Sequence, residues 1–220
     1  MRKRWILGIL CSIFPLFAQP LRLPEEFTVE ERLFSWVSTF DVNCDLGTFA
    51  VARKRFFSLT PSFDLEDAQG QLLASAQARF FAWGTVADVV GWEGEKIGWI
   101  EEEVVRLIPW AEYRIFNWEN RLVAIARMNF FGTCFEIYHP DRPEEIYATL
   151  SRPFIRIFRE YWTVQILNYR VFEEGFIDPR LLVLLAAYQS DKDARDRLRL
   201  ELQEELRKEW ETFDGTRFGS

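Results

Sequence analysis

Between Phe40 and Phe158 an apolar run, a polar turn and a second apolar run recur five times. The copies read FDVNCDLGTFAVARKRFF, FDLEDAQGQLLASAQARFF, ADVVGWEGEKIGWIEEEVV, YRIFNWENRLVAIARMNFF and FEIYHPDRPEEIYATLSRPF. Aligning the last turn residue of each copy at Gly47, Gly70, Gly94, Asn120 and Glu144 gives offsets of 23, 24, 26 and 24 residues. Strand, turn and strand at so regular a spacing predict a meander of hairpins. Within the copies residues alternate with the period of two expected of strands with one face inward. Ala74, Ala76, Ala78 and Phe80 share one face, while Leu73, Ser75, Gln77 and Arg79 share the other. The same register places Gly98 and Ile100, Ala124 and Ala126, and Ala148 on that first face. A sheet facing only a second sheet would carry larger β-branched residues there, so the recurrent Ala/Gly face predicts a bulky object lying close to the strands.

The segment Asp178–Gln189 supplies that object. Asp178 is placed to cap a helix, Pro179 suits the first helical position, and Arg180 to Tyr188 is apolar on every side. A helix without a polar face is buried all round. Nine residues span only about 13 Å, too short to cross a bilayer, so the burial is inside protein. With a strand near Leu33–Thr39 before the hairpins and one near Trp162–Leu167 after them, about twelve strands are expected, enough to close around one helix. The predicted fold is mainly β, a closed antiparallel barrel of about twelve strands around a central hydrophobic helix. After Ser190 the composition changes to DKDARDRLRLELQEELRKEWETF, which predicts a second, charged helix with Ala194, Leu198, Leu202, Leu206 and Trp210 in an i, i+4 stripe. Such a stripe docks on its own barrel or pairs with another helix, and docking on the barrel exterior is the expectation.

The units FDLEDAQGQLLASAQ, GWEGEKIGWI and NWENRLVAIA, closed by DPRLLVLLAAYQSD, resemble the LURP-one-related family of the tubby C-terminal-like superfamily, which includes the phospholipid scramblases. The resemblance covers Leu33 to Asp191 and implies a twelve-stranded barrel wrapped on a hydrophobic helix. Tubby proteins bind phosphoinositides and scramblases are associated with lipid movement. The resemblance transfers no catalytic residue.

The N-terminus reads separately. Arg2, Lys3 and Arg4 precede an apolar run from Trp5 to Phe14 that ends at Pro15, the pattern of a signal peptide cut after Ala18. The alternative is an uncleaved N-terminal membrane anchor, and Cys11 lacks the surroundings of a lipoprotein site. The expected organisation is a signal peptide over 1–18, a barrel domain over 19–190 and a charged helix over 191–220, in an exported protein. Losing Arg2, Lys3 and Arg4 with the leader moves the formal charge from −7 to −10. An acidic chain is unsuited to general nucleic-acid binding, which neutralises phosphates. Cys44 and Cys134 read as two small, partly buried hydrophobes, with a disulfide between them as the alternative.

Little in the sequence points to catalysis. His139, in the turn Tyr138-His139-Pro140-Asp141, reads as a turn residue, and a lone histidine without CxxC spacing predicts no metal or other cofactor. Glu101, Glu102 and Glu103 read as a solvated strand edge that discourages pairing. The candidate binding site is Arg53, Lys54 and Arg55 with Phe56 and Phe57, basic residues beside aromatics that suit an anionic lipid surface. Arg152, Arg156 and Arg159 around Phe154, Ile157 and Phe158 form a second set of the same kind. The expected function is a non-enzymatic binding or scaffold module with an anionic membrane surface as partner. The alternatives are an enzyme with paired carboxylates at a barrel mouth, and an interaction protein working through residues 191–213.

Overall fold

The computed structural model describes residues 21–32, 35–79, 85–103, 111–153 and 161–217. The leader over 1–18 and Cys11 lie outside them, as do Phe154, Arg156, Ile157, Phe158 and Arg159. Twelve antiparallel strands close into one barrel: β1 (Glu26–Glu31), β2 (Thr39–Cys44), β3 (Gly47–Lys54), β4 (Ser62–Asp67), β5 (Leu72–Ala78), β6 (Val86–Gly91), β7 (Lys96–Glu103), β8 (Glu112–Asn117), β9 (Leu122–Met128), β10 (Cys134–His139), β11 (Arg142–Ser151) and β12 (Tyr161–Ile166). Each strand pairs with its neighbours in sequence, and β1 pairs with β12 to close the ring. A short helix, α1 (Arg170–Glu173), leads into α2 (Pro179–Arg217).

Around the barrel wall, large and small inward residues alternate from strand to strand. Phe40 and Val42 on β2 face Ala52 and Ala50 on β3, Phe63 and Leu65 on β4 face Ala76 and Ala74 on β5, and Tyr113 and Ile115 on β8 face Ala126 and Ala124 on β9. This alternation fills a narrow barrel that also holds a helix, because small residues give the helix side chains room while their bulky neighbours close the gaps. Leu181 to Ala187 of α2 fill the axis and are at most 1% exposed. The void beside Leu184 and Leu185 measures 20 Å³, about one water-sized probe. Asp178 caps α2 as expected, its Oδ1 accepting the Arg180 N–H at 2.9 Å.

Several expectations need correction. The first strand is Glu26–Glu31, ahead of the predicted Leu33–Thr39, because Phe27 and Val29 carry the buried face within an acidic run. Gly47, Gly70, Gly94 and Asn120 adopt positive φ at the ends of their turns, but the fifth turn falls at Pro140-Asp141, and Glu144 lies inside β11. The two predicted helices are one: α2 runs through Ser190 without a break. Asp191, Lys192 and Asp193 pair with the wall, but from Leu198 to Trp210 the charged half does not dock on the barrel, since every residue there is exposed. Glu101–Glu103 form no free edge, because β7 is paired on both sides; Glu102 pairs with Lys192 and Glu103 accepts from Arg114 at 2.7 Å.

The barrel has two unlike mouths. At the turn mouth lie the tight hairpin turns and the start of α2; at the loop mouth lie the longer connections, and α2 leaves there. Cys44 ends β2 at the turn mouth and Cys134 begins β10 at the loop mouth, so strands about 20 Å long separate the two thiols, and both are free.

Candidate functional site

Helix and wall are fastened where α2 leaves the barrel. Asp191, 1% exposed, accepts two hydrogen bonds from Lys54 Nζ at 2.9 and 3.0 Å, although the two residues are 137 apart in sequence. Lys192 pairs with Glu102 on β7, and Asp193 pairs with Arg152 beyond the end of β11. The Arg152 guanidinium also donates to the Gly132 carbonyl at 2.8 Å and lies 4.5 Å from the centre of the Trp162 ring. Tyr113 OH donates to Gln189 at 2.7 Å, and Tyr188 OH donates to Thr85 at 2.8 Å. Burial, reinforced by the Glu102 charge, pushes the Tyr113 phenol well above its usual range and keeps it a donor.

The predicted basic cluster lies at this mouth, but its members do different things. Arg53 pairs with Glu66 at 3.1 Å on the outer wall. Lys54 holds the helix. Arg55 grips Asp64 through two bonds of 2.8 and 2.5 Å and touches Ser75 at 3.0 Å. Burial alone would raise the Asp64 pKa, but the bonds from Arg55 and Ser75 outweigh it and hold the carboxyl below its usual range. Phe56 and Phe57 stand free of the wall, 68% and 94% exposed, with their rings edge to face. Arg152 of the second set is not available to a surface. Its side chain is 6% exposed and committed to the helix.

Two features escaped the sequence reading. The first is a repeated clamp, in which Arg32, Arg55 and Arg79 each grip the aspartate nine residues on, Asp41, Asp64 and Asp88. The spacing is visible in the sequence once one looks for it, and each clamp ties the foot of a loop to the next strand. The second is the apolar crown those loops carry. Trp36, Phe56, Phe57, Leu59, Phe130 and Phe131 come from three described loops at this one mouth, and all are more than two-thirds exposed. Above the crown, α2 projects for about 35 Å by its helical rise, with Leu198, Leu202, Leu206 and Trp210 at least half exposed.

The turn mouth holds a cleft of 660 Å³ lined by Leu23, Lys96, Asn117, Trp118, Phe172 and Arg180, among others. Two of its carboxylates are already engaged: Arg180 chelates Asp178 at 2.8 and 2.9 Å and lies 3.5 Å from Glu95. His139 Nδ1 accepts the Asp141 N–H at 3.0 Å within its turn. Among the described residues no group of three or more potential metal ligands forms, and no helix is long and apolar enough to cross a membrane.

The ion pairs at the loop mouth move the functional end of the barrel past Ser190. A chain ending at Gln189 lacks Asp191, Lys192 and Asp193, and is expected to melt at least about 5 °C below one ending at Arg197, at roughly 2–4 °C per kcal/mol for a domain of this size. The chain ending at Arg197 should melt with the full-length protein. Equal melting of the two shortened chains, followed by circular dichroism, would show that these pairs contribute nothing.

No family model matches the chain, and no curated protein does. Among solved structures, an X-ray structure of a protein from Arabidopsis thaliana is similar at a TM-score of 0.48 and 12% identity, covering 77% of this chain and 93% of that one.

Proposed function

We propose that this protein is an exported, non-enzymatic binding module, a remote relative of the LURP-one-related and tubby-like barrels, and that its binding surface is the loop mouth together with the projecting half of α2. The observation that carries this reading is the concentration of exposed Phe, Trp and Leu at one mouth and on one helix. Large apolar side chains left exposed together at one end of a molecule mark interaction sites. A barrel axis filled by Leu181–Ala187 leaves no internal room for a substrate, and in the cleft at the turn mouth Asp178 and Glu95 are both engaged by Arg180, which supports binding over catalysis. Protein is the favoured partner class. For the whole crown to meet a bilayer face-on, the charged residues of the projecting helix would have to enter it first, which is costly.

The test places a photo-cross-linking residue at Phe57, at Trp210 and at Gln77 on the outer wall, one at a time, in cells that make the protein. Adducts from Phe57 and Trp210 but not from Gln77 are expected. Equal labelling from all three positions sinks the reading. Peripheral contact with anionic lipid through Arg53, Lys54, Arg55 and Phe56 is the second reading, favoured by the exposure of Phe56 and Phe57. Its signature would be salt-sensitive co-sedimentation with anionic but not neutral vesicles, abolished by Arg53→Gln with Phe56→Ser and Phe57→Ser, a change that leaves Lys54 on the buried Asp191.

A further inference from the structure

The projecting half of α2 carries an apolar stripe that the single chain leaves exposed. Its apolar residues, Leu198, Leu202, Leu206 and Trp210, are spaced by four throughout, so the stripe reads the same in either direction along the helix. The charges around it do not. Arg195, Arg197 and Arg199 outweigh Asp196 in the first part, whereas Glu201, Glu204, Glu205, Glu209 and Glu211 outweigh Arg207 and Lys208 in the second. A parallel pair sets like against like along its whole length. An antiparallel pair sets the basic part of each helix beside the acidic part of the other, within a Debye length, and also opposes the helix dipoles.

We propose that the occupant of this stripe is a second copy of the chain, held as an antiparallel helix pair in which Leu198 of one copy lies beside Trp210 of the other and Leu202 beside Leu206. This rests on the reading of the projecting helix as a binding surface and names its partner. Such a contact is isologous and closes at two copies. Stripes spaced by four pack ridge into groove, which gives a crossing angle near −50°. A filled barrel at each end of a short helix pair makes a scaffold with two outward-facing turn mouths.

The experiment is sedimentation velocity on the full chain across about 1 to 100 μM, a range that detects micromolar association. A dimer is expected. Leu202→Glu with Leu206→Glu should weaken it at least about a hundredfold, since two apolar side chains leave the interface in each copy. Both positions are half exposed in the single chain, so the variant should keep the parent's melting curve. Orientation is read from Leu198→Cys and Trp210→Cys chains, mixed and oxidised, with the linked peptides identified by mass. Links between 198 and 210 support the antiparallel pair; links of 198 to 198 or 210 to 210 overturn it. A chain that stays monomeric throughout overturns self-pairing, and photo-adducts from Trp210 to a different protein would then leave the wider reading intact.

Discussion

Leu184→Asp is expected to yield no folded protein. Leu184 is 1% exposed in the middle of the barrel axis, with neighbours from Leu181 to Ala187 equally enclosed. Losing the leucine alone costs about 2–5 kcal/mol. A carboxylate in its place has apolar neighbours, including Phe63, Ala76 and Ile100, around a space of 20 Å³ that offers it no solvation shell. If it stays charged, the penalty is several kcal/mol; if it protonates, a polar group still sits among hydrocarbons at a cost of a few kcal/mol. Either sum approaches or exceeds a typical stability of about 5–15 kcal/mol. The matched control is Leu184→Met, which conserves volume and should cost less than about 1.5 kcal/mol. A soluble Leu184→Asp chain with the parent's far-UV dichroism and a cooperative melt at the parent's temperature would refute the helix-filled barrel.

That buried helix was legible because burial writes itself into composition. A segment that meets protein on every side carries no polar residue, and the small inner residues of β3, β5, β9 and β11 record the same contact from the wall. What composition does not record is where a helix ends. The abrupt change at Ser190 marks the point at which α2 leaves the barrel for solvent, a change of surroundings that leaves the backbone untouched. The better signal was the lack of any Gly or Pro between Arg180 and Asp214, which leaves nothing to stop the helix. The first strand was missed for a related reason. With Glu25, Glu26, Glu30 and Glu31 around Phe27 and Val29, its outer face is so acidic that the two buried positions hardly register as alternation.

The candidate site was legible only in part. A basic run beside two phenylalanines has the same appearance whether its cations face lipid or face carboxylates, and the partners that decide the matter lie far away in sequence. Asp191 is 137 residues from Lys54. Even the nearer clamps, Arg55 to Asp64 and its two repeats, join a loop foot to the following strand, so they become visible only when the strand register is known. The crown needed the topology as well. Residues at Trp36, Phe57 and Phe131 look like scattered apolar positions until antiparallel pairing brings their loops to the same mouth.

Arg152→Ala is expected to cost about 3–5 kcal/mol, the range for removing one partner of a buried ion pair. The pair with Asp193 meets that description on both sides, with the arginine side chain 6% exposed and the aspartate 11%. The substitution takes the cation from an enclosed carboxylate, removes the donor to the Gly132 carbonyl at 2.8 Å, and strips the stacked guanidinium from Trp162, which is fully buried. At roughly 2–4 °C per kcal/mol the melting temperature should fall by about 6–20 °C. Arg53→Ala serves as the contrast, because its pair with Glu66 lies on the outer wall with the arginine 48% exposed, and pairs of that kind are worth about 0–1 kcal/mol. Replacing both buried partners, Arg152→Met with Asp193→Leu, should recover much of the loss, since no charge is then left enclosed. That double variant separates stability from geometry. If the ion pair also fixes the direction in which α2 leaves the mouth, the recovered protein should melt near the parent yet associate more weakly, whereas an Arg152→Ala chain that melts within about 2 °C of the parent would show that the pair fastens nothing.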